Sequence, residues 1–180
     1  MGTYRPTFIE LIIFDVDGTL ADRDTSELLP GVAEWFRENG RYYQIAFATN
    51  QGGVGLRYWM EEGGFGNPKD YPDITKVYNH LESVYRALPD IDAEKALFDQ
   101  THVCFAYQSK KSGEWGPVPE QSEKWDSFYR KPSPGMLLRA MKHADVSPGL
   151  TLMIGDSEED QLAAKAAGCL FERADTFFGR

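Results

Sequence analysis

Residues 11–20 read LIIFDVDGTL, from Leu11 to Leu20. The four apolar residues Leu11 to Phe14 read as a short buried strand. Asp15 and Asp17 follow at once, and Gly18-Thr19 turns the chain. An apolar strand that ends in carboxylates puts those carboxylates at the carboxyl edge of a sheet, where open α/β folds bind their ligands. Acidic residues also close ordinary strands and begin ordinary turns, and a lone Asp-Gly would mean no more than that. The complete Asp-x-Asp-Gly-Thr after an apolar run is far more specific.

The chain has 180 residues, a suitable length for one domain with a full core. Hydrophobic residues make up 42% and aromatic residues 13%, which points to a globular chain rather than a disordered one. No apolar run approaches the roughly 20 residues of a membrane helix. The opening MGTYRPTFIE lacks the basic-then-apolar pattern of a secretory signal, and residues 1–8 read as a short lead-in. The two cysteines, Cys104 and Cys169, lie in apolar stretches. That usage favours a reducing, cytoplasmic setting over a disulfide scaffold. The formal charge of −9 argues against an extended nucleic-acid surface, which needs many Lys and Arg. It does not argue against a phosphate ester, because a divalent cation in an acidic site becomes the largest local charge.

Hydrophobic spacing predicts strands at about 9–16, 43–49, 102–107, 150–154 and 170–172. It predicts helices at about 31–39, 73–88, 134–143 and 158–167, with a short helical turn at about 93–98. Asp73 is the expected cap of the second helix. The region 59–70, which carries Gly and Pro, is expected to be irregular, as is the long loop from Gln108 to Tyr129. Alternating strands and helices imply a Rossmann-like, doubly wound, mostly parallel five-stranded sheet with helices on both faces. The stretch between the first two strands holds one helix, so no separate cap domain is expected, and residues 1–180 read as a single domain.

The polar residues fall at strand ends. The first strand ends in Asp15 and Asp17, and the second in Thr49 and Asn50. Lys131 precedes a helix after the third. The fourth ends in Asp156, with Asp160 one helical turn on. A parallel sheet brings all these ends to one rim. The chemistry they would assemble is metal-dependent phosphoryl transfer. Mg²⁺ favours carboxylates together with substrate phosphate oxygens, and Asp15 and Asp156 are suitable ligands. A carboxylate can also attack phosphorus and form an aspartyl-phosphate, while Thr49 and Lys131 would hold the transferring oxygens.

Four segments occur in this order: DVDGT from Asp15, FATNQ with Thr49, RKPSPGM with Lys131, and GDSEED with Asp156 and Asp160. On these the chain resembles the haloacid dehalogenase-like (HAD) superfamily of phosphatases, over about residues 9–173. TNQ followed by glycines, and KPSPGM, resemble the branch with histidinol-phosphate, heptose bisphosphate and polynucleotide 3′-phosphatases. The resemblance implies Asp15 as nucleophile and Asp17 as the acid and base. It implies Mg²⁺ held by Asp15, the Asp17 main-chain carbonyl and Asp156, and Asp160 in support of the metal shell or of Lys131. Several sugar and histidinol members carry a Cys/His zinc loop before KPxPGM, whereas Gln108–Tyr129 here contains neither residue type.

The expected function is therefore Mg²⁺-dependent hydrolysis of a phosphate monoester. The substrate is a small molecule or a polynucleotide 3′ end. The alternative from another class is a phospho-ligand-binding module without turnover, against which the intact Asp17 argues. Mutase and dehalogenase chemistry rank lower, because mutases usually carry a lid and dehalogenation has no need of a second aspartate. Asn50 reads as a substrate contact or a loop-ordering residue rather than a simple cap of the strand end. Trp115, Trp125 and Phe128 read as loop anchors rather than base-stacking residues. His80 and His143 read as surface or capping residues, His102 as an unpartnered strand residue, and Cys104 as core. Glu158 and Glu159 suit the helix dipole, and Lys110-Lys111 reads as solvated surface.

Overall fold

The computed structural model describes residues 8–180, so most of the lead-in lies outside the described residues. Strand β1 is Leu11–Phe14, β2 Gln44–Asn50, β3 Thr101–Cys104, β4 Thr151–Gly155 and β5 Leu170–Arg173. They form one sheet in the order β3-β2-β1-β4-β5, with every neighbouring pair parallel. The central β1 is shorter than the apolar pattern predicts. Glu10 and Asp15 still donate to Leu150 and Ile154, but the Val16 carbonyl then accepts from Thr19, Leu20 and Ala21 and turns the chain.

Alternation along the strands sorts the core onto two faces. Ile12, Phe14, Ile45 and Phe47 face one cluster, built with α1 (Val32–Asn39) and α3 (Ile74–Ala87). Leu11, Ile13, Ala46, Ala48 and Met153 face the other, built with α5 (Gly135–Ala144) and α6 (Glu158–Ala167). Phe14 is fully buried among Trp35, Phe36, Phe47, Phe177 and Phe178. Burying a side chain of this size contributes roughly 1.5–3 kcal/mol, so β1 is anchored from the face opposite α5 and α6.

Two helices depart from the sequence pattern, whereas the expected turn near residue 93 is present. Helix α2, Gly52–Gly63, occupies the glycine stretch and part of the region expected to be irregular. Its glycines weaken local helix propensity and serve close approach instead: a Cβ at Gly55 would fall on the Phe105 carbonyl oxygen. The predicted turn near residue 93 is the short α4 (Ala93–Lys95), continued by a wide turn over Ala96–Gln100. Helix α7 (Ala174–Phe178) was not anticipated and supplies Phe177 and Phe178 to the core. Asp73 does cap α3, accepting from the Lys76 N–H. In the long loop, Gln108 bridges Trp115, and Trp125 is buried against Phe105 and Tyr58 as a loop anchor. Trp115 and Phe128 remain exposed.

Gly55→Ala is expected to lower the free energy of unfolding by about 1–3 kcal/mol in urea denaturation. Gly149→Ala has open space around its new Cβ and should stay within about 0.5 kcal/mol of the parent.

Candidate active site

Parallel pairing brings the ends of β1, β2 and β4 to one rim, and a buried lysine joins them. Lys131 Nζ lies 2.7 Å from Asp15 Oδ1, 2.6 Å from Asp160 Oδ1 and 2.8 Å from the Ala48 carbonyl. All three ammonium N–H bonds are thereby used. Asn50 clamps the lysine's own backbone: its Nδ2 donates to the Lys131 carbonyl at 2.9 Å, and its Oδ1 accepts from the Lys131 N–H at 3.0 Å. These bonds order the loop around Lys131, and Asn50 also lines the adjoining cleft.

Asp160 is equally committed. It sits at N3 of α6 in a capping box with Ser157, and its Oδ2 accepts from the Ser157 N–H and hydroxyl. Asp15 Oδ2 accepts from Thr19 Oγ1 at 3.1 Å. The exposed Asp156 completes an acidic group in which one ligand atom each from Asp15, Asp156 and Asp160 lies within 4.8 Å of the others. Gly18 permits this approach. Its φ is +80°, and a Cβ there would fall on the Asp156 carboxylate.

Asp17 belongs to a second group. Its Oδ2 accepts from Gln51 Nε2 at 2.9 Å and lies 3.5 Å from Arg23 Nε. Its Oδ1 lies 2.7 Å from His80 Nε2. The Gln51 amide also donates to Thr49 Oγ1 at 3.0 Å, which leaves the buried Thr49 hydroxyl its own proton to donate. These residues open onto a cleft of about 540 Å³ lined by Asp17, Gln51, Lys76, His80, Lys110 and Arg130. A separate cleft of about 560 Å³ beside Gln44, His102 and His143 contains none of the strand-end groups.

The HAD-hydrolase-like family model matches residues 128–171, the segment that carries Lys131, Asp156 and Asp160. The heptose-1,7-bisphosphate 7-phosphatase of Burkholderia mallei is 28% identical over 126 residues, 70% of this chain and 54% of the relative. That of Photorhabdus laumondii is 31% identical over 145 residues, 80% of this chain and 64% of the relative. The chain thus spans between half and two thirds of these two proteins. The magnesium and phosphate complex of the B. bronchiseptica D,D-heptose 1,7-bisphosphate phosphatase superposes with a TM-score of 0.60 at 23% identity, covering 91% of this chain and 79% of that one. In these residues the chain is similar to the HAD-like hydrolases. The relatives it matches are phosphatases.

Within this site the two strand-end aspartates are driven apart. Burial pushes Asp15 up, to about 7, against the pull of Lys131, and the Asp160 carboxylate adds to the rise. Lys131 is drawn down by burial, but Asp15 and Asp160 outweigh this and hold it protonated, above its ordinary value. Burial also pushes Asp17 up, yet the hydrogen bonds from His80 and Gln51, with Arg23, hold it below the usual carboxylate range. Three carboxylates are grouped around one ammonium, and this acidic surplus suits a divalent cation. Both oxygens of Asp15 and of Asp160 already meet donors, so the exposed Asp156 is the most open of the three carboxylates toward it, with Asp15 beside it.

Several site residues were missed in the sequence. Gln51 was read only as part of the FATNQ segment, with no role of its own, and His80 was read as a surface or capping residue. Arg180, whose guanidinium donates to the carbonyls of Gly18, Thr19 and Pro30 and holds the Asp-Gly-Thr turn, carried no motif. The one available signal was His80 on the apolar face of α3, spaced with Val77 and Val84.

Asp15 has a folded-state pKa above its unfolded value, so its contribution to stability is full below the unfolded carboxyl range and is lost as pH rises through about 7. In metal-free protein, the melting temperature of D15N should gain on that of the parent between pH 5 and pH 8. A difference independent of pH would contradict the assignment.

Proposed function

We propose that this chain is a Mg²⁺-dependent phosphatase that hydrolyses the phosphate monoester of an anionic small molecule through an aspartyl-phosphate on Asp15. One observation carries the reading. A buried Asp15, fixed by Lys131 and Thr19, lies two residues before an Asp17 held at the mouth of a cleft. In the first half, an Asp15 oxygen bonds to phosphorus, the ester P–O bond breaks, and the leaving oxygen takes a proton from Asp17, which reacts from its protonated form although its partners favour the ionised one. In the second, Asp17 takes a proton from water, the water oxygen bonds to phosphorus, and the bond to Asp15 breaks to release phosphate. The Thr49 hydroxyl is free to donate to a phosphoryl oxygen, and Lys131 offsets charge on the Asp15 side. Asp15, Asp156 and the Asp17 main-chain carbonyl would hold Mg²⁺, which when bound supplies charge neutralisation on the phosphoryl oxygens. Asp160 serves by holding Lys131.

Arg23, Lys76, Lys110 and Arg130 line the cleft of a chain whose formal charge is −9. The same lining carries Asp17, Asp24, Asp70 and Glu159, so the four cations bring the cleft to charge balance, and what supports an anionic substrate of sugar-phosphate size is the names of the relatives. The polynucleotide 3′ end draws no support from those relatives and remains disfavoured by the overall charge. We read residues 1–180 as one catalytic domain working in the cytoplasm. Among the described residues no helix is long and apolar enough to cross a membrane.

D15N should lose at least about 10³-fold in kcat on p-nitrophenyl phosphate, and chelation of divalent cations should abolish turnover until Mg²⁺ is restored. Retained activity in D15N would refute the covalent route. A panel setting heptose 1,7-bisphosphate and other phosphorylated metabolites beside a 3′-phosphorylated oligonucleotide should show turnover of the small molecules. Binding without turnover across the panel would instead favour a silent module.

A further inference from the structure

His80 stands 63 positions after Asp17 and reaches it from α3. Its side chain is 14% exposed and makes two polar contacts: Nε2 at 2.7 Å from Asp17 Oδ1, and Nδ1 at 2.7 Å from Ser26 Oγ. An ionised carboxylate only accepts, so Nε2 carries a proton toward Asp17, while Nδ1 meets the Ser26 hydroxyl on the far side of the ring. Ser26 is itself held in an unusual place. Its φ is +62°, a conformation that non-glycine residues seldom adopt, and it follows a turn in which Asp22 accepts from the N–H groups of Asp24 and Thr25. The chain after the Asp-Gly-Thr turn is thus folded so that a hydroxyl meets the far nitrogen of the imidazole.

The opposite Asp17 oxygen is held from the loop after β2 by Gln51, and only His80 holds the carboxylate from α3. Lys76 and Val77, on the same stretch of α3, line the same cleft. The rotation of the Asp17 carboxylate about its own bond is therefore set from the wall of the cleft in which a leaving group would lie. We propose that His80, fixed by Ser26, is the positioning residue that aims the Asp17 carboxyl at the leaving-group oxygen. This inference rests on the reading of Asp17 as general acid.

A positioning role and a merely structural one differ in what they do to different leaving groups. An alkyl alkoxide needs a proton in order to leave, whereas 2,4-dinitrophenolate does not. The parameter kcat/KM reports the steps up to and including loss of the leaving group, before water enters. For H80A, kcat/KM on an alkyl phosphate such as glycerol 3-phosphate is expected to fall about 10-fold to 100-fold, a part of the roughly 10²–10⁴-fold that a general acid contributes. On 2,4-dinitrophenyl phosphate it should stay within about 3-fold of the parent. H80Q, whose side-chain amide N–H can occupy the place of Nε2–H, should recover part of the alkyl-phosphate rate. Equal losses on the two substrates, or no loss on either, would overturn the inference. D17A, measured beside them, separates the two levels. If D17A itself treats the two substrates alike, the general-acid reading fails. If D17A discriminates and H80A does not, only the role of His80 fails.

Discussion

The ammonium of Lys131 is the group on which the rest of the site depends. It is buried, as are Asp15 and Asp160, and each charge taken out of water would cost several kcal/mol if left alone. The three charges are tolerable together because every lysine N–H meets an acceptor and every Asp160 oxygen meets a donor. The partners come from the end of β1, the end of β2, the segment before α5 and the start of α6. Moving any one of these segments would strand a buried charge, so each segment fixes the others. The Asn50 clamp on the Lys131 backbone adds a constraint that does not depend on charge.

Around this centre the structure separates two carboxylates that the chain places only two residues apart. Asp15 is turned inward, toward a lysine already shared with Asp160, and its carboxyl is driven up. Asp17 is turned outward, toward His80, Gln51 and Arg23, and its carboxyl is held down. Pairs of titratable groups pushed apart by their surroundings are a recurring basis for distinct roles in one site. Here the division follows from where the strand stops. β1 ends at Phe14, the Val16 carbonyl closes the turn, and the residues on either side of Val16 enter different environments. Gly18 is required at that turn both for its positive φ and for the space Asp156 occupies.

Much of this was legible in advance because it is local. The apolar runs that became β1, β2 and β4, the Asp73 cap, the acidic first turn of α6 and the four motif segments are each specified within a few residues. Helix α2 was not legible, because its glycines lower helix propensity and answer instead to the carbonyl of Phe105, some fifty positions on. The same applies to His80, whose amphipathic spacing describes any core-facing helix residue and says nothing of a carboxylate 63 positions earlier. Helix α7 is five residues long, too short to announce itself by period, and is held by Phe177 and Phe178 against Phe14 and Trp35.

The sequence by itself determined a parallel α/β sheet with Asp15, Asp17, Thr49, Lys131, Asp156 and Asp160 at one rim, since strand period and strand-end chemistry are properties of short segments. The tertiary structure alone decided which of these groups touch. It gave Lys131 to Asp15 and Asp160, Asn50 to the lysine's backbone, and His80 and Gln51 to Asp17. The physical reason is that hydrogen bonds and ion pairs reach about 3 Å, while the partners lie from about 30 to more than 110 residues apart along the chain. No local pattern encodes a contact of that kind; it exists only once the sheet has brought its strand ends together.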